Sequence, residues 1–379
     1  MTTKIQVSNK IAILMPVAGS GGVQKVVTNL VNGLISIGWL VDVVCADARG
    51  GLNGLDSRAN IIDLGVSSSH GDLKLIKGIG KVRAAVREGG YDALVTVPGF
   101  AGQIGIIACC GLSTKVVVMV DNKLSLLREL GGLHRLQLTS AQILYPKANV
   151  VVAAHDSALA DLERLLPANR KAKLVRIYHP LIPGNVTELA NEEPPVPLPS
   201  DRPVVVAAGR LVEEKDFSTL LRAFAIVCSQ RSAELIILGD GPLRGDLEKL
   251  AGELGIAGNV RFEGMVSNVY AYFSRSSVFV LSSKREAFGN VLIEALACGT
   301  PCVATCCASG GPQEILADGE YGRLVEIGDV EGIADVINRT LNDSANGYCL
   351  ANNLVDRSFE FTVAHSTSQY SSLLGGLLK

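Results

Sequence analysis

Short, uninterrupted apolar segments recur along the chain and alternate with segments of helical periodicity. Nine of them are bounded by Gly or polar residues: 11–17, 40–46, 93–97, 115–120, 150–154, 204–208, 235–238, 278–281 and 301–304. Such segments are typical of strands buried on both faces of a parallel sheet. Apolar residues from Val23 to Ile35 recur at spacings of three and four, the pattern of an amphipathic helix, and Gly38 follows as a stop signal. The alternation predicts βαβ units, and therefore an α/β fold built on parallel sheets.

A proline-rich segment divides the chain near its middle. Four prolines lie between Pro194 and Pro199, and such a segment continues neither a helix nor a central strand. We therefore predict two Rossmann-like domains, residues 1–190 and 201–358, joined by a linker at 191–200 and facing each other across a ligand-binding cleft. The tail, residues 359–379, has helical character and is expected to pack back on the first domain.

Composition and charge exclude several classes of protein. The 35 Lys and Arg residues oppose 37 Asp and Glu residues, so no basic surplus argues for a nucleic-acid partner. No stretch of 18 uncharged apolar residues is present, and the first apolar segment is too short for a signal sequence, which predicts a cytoplasmic protein. The nine cysteines are expected to be buried free thiols. The cluster of Cys298, Cys302, Cys306 and Cys307 is not expected to bind a metal, because it contains no C-x2-C knuckle and no nearby His.

The stretch from Ser283 to Pro301 carries two glutamates around a predicted helix start. Glu286 lies in a polar turn after a buried segment, and Glu294 follows eight residues later, on a helix predicted to begin near Phe288. Spacing alone favours ordinary roles: Glu286 would stabilise the helix N-terminus, and Glu294 would be a solvated surface charge.

The same stretch resembles the E-x7-E motif of the retaining glycosyltransferases of family 4. The resemblance continues through residues 310–315 (G-G-P-Q-E-I) and 319–322 (G-E-Y-G). Upstream, residues 209–216 (G-R-L-V-E-E-K-D) and 239–244 (G-D-G-P-L-R) are similar to the family's G-R-L-x-x-x-K-G and G-D-G-P-x-R. The resemblance covers the second predicted domain almost throughout, and it implies the two-domain GT-B fold. Asp216 departs from the family's Gly, which predicts either a different turn or an ion pair between Asp216 and Lys215.

The resemblance implies a nucleotide-sugar site in the second domain, with no metal ion or other cofactor. Arg210 and Lys215 would stabilise the negative charge that develops on the leaving diphosphate. Glu286 would contact hydroxyls of the transferred sugar, and Glu294 would accept hydrogen bonds from the ribose hydroxyls. The other donor-site candidates, which would act through the backbone or against the base, are Gly21, Gly22, Gly209, Gly264, Met265, Phe288, Gly289 and Asn290.

The first domain offers weaker signals. Residues 19–22 (G-S-G-G) match neither a Walker A loop nor G-x-G-x-x-G, so they form either an anion-binding loop or only a tight turn. Asp121 stands where many relatives carry His, and it is either the base for the acceptor hydroxyl or the cap of a helix beginning near Leu124. Leucines interleave with basic residues at 123–138, which predicts either a core-facing helix or one that contacts an anionic membrane.

The expected function is metal-independent, retaining transfer of a hexose from a nucleoside diphosphate sugar, with UDP favoured over GDP. The expected acceptor is a glycan or lipid-linked saccharide of cell-surface polysaccharide or glycan assembly, met in the cytoplasm or at the inner face of the membrane. Two alternatives stay open: a GT-B-fold UDP-sugar 2-epimerase, and a catalytically silent sugar-nucleotide-binding partner. The presence of Arg210, Lys215, Glu286 and Glu294 favours the transferase over both.

Overall fold

Two parallel sheets organise the chain. The computed structural model describes residues 9–18, 22–66, 76–345 and 351–379. Unit 1 consists of Met1–Leu181 and Val363–Lys379, and unit 2 of Ile182–Thr362. Each unit is built on one of the sheets, as the alternation of apolar segments and helical periods predicts.

The sheet of unit 1 is built from continuous apolar strands at its centre. Its strands are β1 (Lys10–Val17), β2 (Leu40–Asp47), β3 (Ile61–Asp63), β4 (Ala93–Thr96), β5 (Lys115–Val120), β6 (Val150–Ala153) and β7 (Lys173–Arg176). They lie in the order β3-β2-β1-β4-β5-β6-β7, and all pairings are parallel. The five interior strands are almost entirely buried, so their side chains form the core of the unit.

The helices of unit 1 connect these strands. They are α1 (Gly22–Ser36), α2 (Ile79–Gly89), α3 (Ala101–Ala108), α4 (Leu127–Leu130), α5 (Gly132–Leu144), α6 (Asp156–Leu165) and, from the end of the chain, α15 (Val363–Leu377). The last helix packs against α1, and Trp39 Nε1 donates a hydrogen bond of 2.9 Å to Ser371 Oγ. The C-terminal helix therefore belongs to the first unit.

The sheet of unit 2 has the same construction with six strands. They are β8 (Val204–Ala208), β9 (Glu234–Leu238), β10 (Val260–Gly264), β11 (Val278–Leu281), β12 (Cys302–Thr305) and β13 (Arg323–Val325). They lie in the order β10-β9-β8-β11-β12-β13, again with parallel pairings. The carboxyl ends of these strands meet at one edge, where open α/β sheets bind ligands.

Eight helices of unit 2 lie within the described ranges. They are α7 (Val186–Asn191), α8 (Phe217–Gln230), α9 (Arg244–Glu253), α10 (Tyr270–Phe273), α11 (Asn290–Ala297), α12 (Gly311–Ile315), α13 (Val330–Ala345) and α14 (Ala351–Ser358). A buried cluster that includes Leu220, Phe224 and Ile337 fills the space between α8, α13 and the sheet.

The division between the units falls earlier than the predicted linker. Helix α7 packs against α10 of unit 2, and its last carbonyls accept hydrogen bonds from that unit. Asn268 Nδ2 donates to Leu189 O at 2.8 Å, and Arg275 Nη1 donates to Ala190 O at 2.8 Å. Residues 182–200 therefore belong to unit 2 because their backbone groups are satisfied there, and the Pro-rich segment is a connection within that unit. At the other end, residues 359–362 also belong to unit 2.

The cysteines follow the expectation only in part. The eight that the structure describes are free, and four of them are buried. Cys110 is exposed and three others are half-buried, so the prediction of uniformly buried thiols is wrong for these; Cys349 lies outside the described residues. None of the described helices is long and apolar enough to cross a membrane.

Candidate functional site

Three neighbouring strands of unit 2 reach the carboxyl edge of the sheet at glycines. Gly209 follows β8, Gly239 follows β9, and Gly264 ends β10. The Gly239 N–H donates to Gly264 O at 2.7 Å, and the Gly209 N–H donates to Leu238 O at 2.9 Å. A Cβ atom on Gly239 would lie 2.0 Å from Gly209 O, so glycine is required for the two turns to touch. The edge from β10 to β8 is therefore a continuous backbone surface.

An ion pair joins the loops that follow β8 and β11. Lys215 ends a 3-10 turn, Glu213–Lys215, and its Nζ lies 2.7 Å from Oε1 and 2.5 Å from Oε2 of Glu286. The two side chains are 20% and 10% exposed, respectively. The motif lysine and the first motif glutamate thus share one site, although 71 residues separate them in the chain.

Backbone groups hold the same two loops together. Ser282 Oγ donates to the carbonyl of Lys215 at 3.0 Å. The backbone N–H of Lys284 donates to Glu214 O at 2.8 Å, and that of Arg285 donates to the same oxygen at 3.2 Å. The ion pair is therefore fixed by the fold and does not depend on two freely rotating side chains.

Asp216, which stands where the family has Gly, adopts a left-handed backbone conformation. Its φ of 47° lies in the left-handed region, which Asp tolerates better than most residues. Its carboxylate accepts a hydrogen bond of 2.8 Å from Thr219 Oγ1 and lies 3.4 Å from Lys284 Nζ. The expected pairing of Asp216 with Lys215 is wrong, because Asp216 is turned toward the start of α8 and Lys215 toward Glu286.

Arg210 differs from Lys215 in its surroundings. Its side chain is exposed, and in the part of the chain that the structure describes no carboxylate lies within ion-pair distance of its guanidinium. It stands one residue after Gly209, at the edge where β8 ends. The site therefore presents one accessible cation and one that is neutralised by a carboxylate.

The 286–290 loop connects Glu286 to the start of α11. Phe288 is 2% exposed, Gly289 has a φ of 112°, and α11 begins at Asn290, two residues later than predicted. The positive φ requires Gly here, since an L side chain would be strained. A Cβ on Gly289 would also lie 3.7 Å from Glu286 Cγ, so the backbone of Gly289 packs against the Glu286 side chain.

Glu294 lies in the middle of α11 and is 5% exposed. The interpretation of this residue as a solvated surface charge is wrong. Burial, together with the charge of Glu294, raises the pKa of the Tyr270 phenol and raises the pKa of the Cys298 thiol to about 12. Glu294 is thus a buried carboxylate close to the Tyr270 phenol. It lies one turn into α11, whereas Glu286 lies in the loop before that helix.

Met265 lies directly after Gly264, at the end of β10. Its side chain is 78% exposed, the largest exposure among the large apolar residues that the structure describes. Arg244 Nη2 donates to Phe262 O at 3.0 Å and holds the end of this strand. The structure therefore leaves an uncovered apolar side chain at the same sheet edge as Gly209 and Gly239.

In unit 1, Asp121 follows β5 at the carboxyl edge of the other sheet. Burial raises the pKa of its carboxyl to about 6. The helix-cap alternative is wrong, because the N–H of Ser125 donates to Asp161 Oδ2 at 2.9 Å. Asp121 is therefore free of a capping role, and the raised pKa makes its carboxylate a stronger base than that of an exposed aspartate.

His155 lies beside Asp121 and is not among the candidates that the sequence predicts. Its ring is completely buried, and its Nδ1 accepts a hydrogen bond of 3.2 Å from the N–H of Ala158, which caps α6. The ring also hydrogen bonds the backbone of Asp121, but burial is the larger effect and lowers the pKa of His155 to about 4. The signal available in the sequence was its position, because His155 and Asp121 follow adjacent strands at their carboxyl ends.

The remaining candidates of unit 1 have mixed outcomes. Gly22 is the first residue of α1, and Gly21 lies outside the described residues. The 123–138 stretch is not one helix but a 3-10 turn, Leu124–Leu126, followed by α4 and α5. Leu138 is buried while Leu136 is 56% exposed, so α5 has both a core-facing side and an exposed apolar side. Within the described ranges, no three His, Cys, Asp or Glu side chains come together as metal ligands would.

Each half of the chain matches a family of glycosyltransferase domains. Residues 190–357 match the family model of glycosyl transferases group 1, and residues 21–178 match the glycosyl transferase 4-like domain. These two matches cover the two Rossmann-like units in the same order along the chain. With the GT-B fold, these two matches support a glycosyltransferase.

Individual relatives agree with this class. The chain is 42% identical over 165 residues to the lipopolysaccharide core biosynthesis glycosyltransferase LpsE of Rhizobium meliloti, a match that covers 44% of the chain and 46% of LpsE. It is 26% identical over 339 residues, 88% of the chain and 90% of the relative, to the N-acetylgalactosamine-N,N'-diacetylbacillosaminyl-diphospho-undecaprenol 4-alpha-N-acetylgalactosaminyltransferase of Campylobacter jejuni. The match to LpsE spans only about half the length of that relative. These relatives favour neither the epimerase nor the silent binding partner.

Solved structures share the fold across nearly the whole chain. Sucrose-phosphate synthase from Thermosynechococcus elongatus superposes with a TM-score of 0.81 at 23% identity, covering 97% of this chain and 99% of that one. Anabaena Alr3699/HepE, in complex with UDP and glucose, superposes with a TM-score of 0.72 at 20% identity, covering 97% and 100%. At these identities the likeness shows the GT-B fold.

Proposed function

We propose that the protein transfers a glycosyl group from a nucleoside diphosphate sugar to a saccharide acceptor. The observation that carries the proposal is the Lys215–Glu286 pair, with Nζ within 2.7 Å of both carboxylate oxygens, beside the exposed Arg210. Two groups are thus adjacent at the ligand-binding edge of a parallel sheet. One is a cation that can bind a phosphate, and the other is a carboxylate that can accept hydrogen bonds from a sugar.

The two cations have the chemistry that the leaving group requires. Breaking the bond between the sugar and the diphosphate concentrates negative charge on the β-phosphate, and charges already in place stabilise it best. Arg210 can bind phosphate oxygens with two parallel N–H groups, while Lys215 acts as a point charge. In the donor-free protein Glu286 neutralises Lys215, so donor binding exchanges one anion for another at Nζ.

The two glutamates take different parts of the donor. Glu286 lies beside the phosphate-binding lysine, where the sugar is joined, and its carboxylate can accept hydrogen bonds from two hydroxyls. Glu294 lies on α11, eight residues later, and we assign it to the ribose hydroxyls. The amides of the 286–290 loop supply further hydrogen bonds to the sugar or the diphosphate.

We propose UDP as the preferred nucleotide and retention as the stereochemical outcome. Met265, 78% exposed at the end of β10, offers an apolar surface for a base near the backbone of Gly264. The structure of Alr3699/HepE that superposes on this chain contains UDP and glucose, which supports a UDP-hexose donor here. The proposed chemistry is front-face displacement through an oxocarbenium-like state, with Arg210 and Lys215 in the place of a metal ion.

A thermal-shift panel of UDP- and GDP-sugars tests the donor. A ligand that binds only the native protein adds RT ln(1 + [L]/Kd) to the free energy of unfolding and so raises the unfolding temperature. We expect a UDP-hexose to stabilise the protein more than the matching GDP-hexose. Equal stabilisation by both would contradict the base preference, and no stabilisation by any nucleotide sugar would contradict the proposed function.

We further propose a lipid-linked acceptor reached at an anionic membrane on the cytoplasmic side. Leu130, Leu136 and Ile143 are 48%, 56% and 59% exposed on α4 and α5, and Arg128 and Arg135 are exposed beside them. Exposed leucines next to basic side chains suit an anionic lipid surface. The Campylobacter relative is named for an undecaprenol-linked substrate, which supports the same class of acceptor.

Vesicle sedimentation tests the membrane contact. We expect binding to vesicles that contain phosphatidylglycerol and not to pure phosphatidylcholine, with binding lost in the Leu136→Ser/Ile143→Ser double variant. Ile37→Ser is the matched control, because Ile37 is 50% exposed elsewhere in unit 1. Equal binding by the double variant and the control would overturn the assignment of this face.

A further inference from the structure

We propose that Arg357 and Phe361 are positioning residues for the 286–290 loop. The inference rests on the proposed function, because it concerns the loop to which the donor is assigned. Both residues lie in the last segment of unit 2, α14 and the 3-10 turn Phe359–Phe361, far from the motif in sequence. Each contacts the loop or its support directly in the fold.

Arg357 closes the carboxyl end of α12 with a set of charged hydrogen bonds. Its Nε donates to Ile315 O at 3.1 Å and its Nη2 donates to Glu314 O at 2.7 Å. Its Nη1 lies 2.5 Å from Glu360 Oε1, and the side chain is only 12% exposed. The last carbonyls of a helix have no partner within the helix, so the guanidinium satisfies two that would otherwise be poorly paired.

Helix α12 in turn supports the loop at both of its ends. At its first residue, a Cβ on Gly311 would lie 2.4 Å from Phe288 O and 2.6 Å from Phe288 Cα, so the two backbones are in direct contact. At its last residue, Ile315 Cδ1 lies 3.4 Å from the position of a Cβ on Gly289. A shift of α12 is therefore a shift of the loop, since close-packed backbones transmit displacement.

Phe361 holds the other side of the same loop. Its ring and that of Phe288 are tilted against each other with centroids 5.8 Å apart, and Phe361 is fully buried. The Arg357 guanidinium carbon lies 5.2 Å from the centroid of the Phe361 ring, so the two positioning residues also contact each other. Phe288 is thus fixed through its backbone by α12 and through its ring by Phe361.

This arrangement affects the donor step more than the fold as a whole. The loop amides and Glu286 must meet the sugar and diphosphate in one geometry, and a misplacement of about 1 Å is enough to lower a rate strongly. Nucleotide lacking the sugar and β-phosphate does not use these contacts. A positioning role therefore predicts a loss of turnover without a matching loss of affinity for nucleoside monophosphate.

The test compares Arg357→Ala, Arg357→Lys and Phe361→Leu with the control Arg339→Ala. Arg339 pairs with Asp335 on the exposed surface of α13 at 2.8 Å and touches no part of the loop. Each protein is assayed well below its unfolding temperature for kcat and KM with the UDP-hexose that the thermal-shift panel selects, and for UMP affinity by calorimetry. Lys can replace one of the hydrogen bonds of Arg357 but not its fork geometry.

We expect kcat to fall about tenfold in Arg357→Ala and Phe361→Leu, with partial recovery in Arg357→Lys, while UMP affinity stays within about twofold of wild type. Unchanged kcat in folded variants, with only a lower unfolding temperature, would overturn the inference and show a structural role. Equal loss of UMP affinity and kcat would overturn it as well. Failure of the wild-type protein to bind any nucleotide sugar would instead overturn the proposed function, so the two failures are distinct.

Discussion

The carboxyl edges of the two sheets hold titratable side chains in opposite settings. In unit 2, Lys215 and Glu286 form an ion pair and Arg210 is exposed. In unit 1, Asp121 and His155 are held toward their neutral forms, because burial raises the pKa of Asp121 to about 6 and lowers that of His155 to about 4. The carboxyl edge of one sheet thus holds a fixed ion pair, and that of the other holds a carboxyl and an imidazole whose charged forms are disfavoured by burial.

The difference follows from what surrounds each edge. The loops after β8 and β11 bring opposite charges together in an ion pair. The loops after β5 and β6 place a carboxyl and an imidazole where burial disfavours the charged form of each group. A leaving diphosphate needs charge that is already in place, whereas an acceptor hydroxyl needs a group that can take its proton. The contrast supports a division of labour between the units.

Removing a fixed charge from unit 2 should have the largest effect. We expect Lys215→Ala and Arg210→Ala each to lower kcat roughly a hundredfold, about 3 kcal/mol, because the phosphate charge is greater in the transition state than in the bound donor. Steady-state kinetics measures the loss, and Lys249→Ala is the matched control, since Lys249 is an exposed lysine of α9 that pairs with Glu253 on the same helix. Rates like those of the control in both variants would contradict the donor-site assignment.

Asp121 tests the proton-accepting side of the comparison. If it is the base, wild-type activity should fall as the pH drops below about 6, where its carboxyl becomes protonated. Asp121→Asn should lower kcat about a hundredfold and remove this acid limb. A pH profile of kcat/KM measures both effects. Retention of the acid limb in the variant would assign that titration to another group.

The buried histidines of unit 1 predict a loss of stability in acid. The pKa values of His155 and His179 are both lowered to about 4 from 6.5 by burial. A His whose folded pKa is depressed stabilises the fold above its unfolded pKa and loses that contribution as pH falls from about 6.5 to 4, on the order of 3 kcal/mol each. Asp121 acts in the opposite direction, because its folded pKa is raised to about 6 and its protonation stabilises the fold as the pH falls. Its contribution offsets the loss from about one of the two histidines over the same pH range.

Tryptophan fluorescence reports this effect for unit 1 alone. The chain has one tryptophan, Trp39, and it lies in unit 1. Urea titrations from pH 7 to pH 4.5 should show a falling midpoint, and His155→Asn should flatten the dependence while retaining a cap for α6. His134→Gln, at an exposed position, is the control. A midpoint that does not change with pH would contradict the buried, neutral state of His155 and His179.

The two glutamates sharpen the description of the charged edge. Glu294→Gln should weaken nucleoside diphosphate binding about tenfold, since free nucleotide retains the ribose diol. Glu286→Gln should leave this binding intact or strengthen it, because it releases Lys215 for the phosphate, while turnover is lost. Calorimetry with UDP separates the two. An equal loss of affinity in both variants would show that the division of roles is wrong.

The smallest expected effect is that of a chelator. If Arg210 and Lys215 supply the positive charge for the leaving group, EDTA should change the transfer rate by less than about twofold. The assay is run with added Mg²⁺ or Mn²⁺ as the comparison. A rate that collapses in EDTA and returns with either ion would replace the charged edge of unit 2 with a metal site.

The sequence by itself determined the interior of both sheets and the candidate residues of unit 2. Each of the nine apolar segments corresponds to an interior strand, because a strand buried on both faces must be apolar along its whole length. The four strands that the pattern missed, β3, β7, β10 and β13, are the four edges of the two sheets. Their mixed composition, as in Lys173–Arg176, carries no such signal, since an edge strand has less to bury.

Only the tertiary structure decided which distant residues meet. The pairing of Lys215 with Glu286, the turn of Asp216 toward Lys284, and the contact of Phe361 with Phe288 join parts of the chain that no local pattern relates. The observed boundary between the units also differs from the predicted one, because hydrogen bonds attach α7 to unit 2 before the Pro-rich segment begins. Local composition records burial and turn chemistry, whereas long-range partners depend on strand order, which the sequence does not spell out.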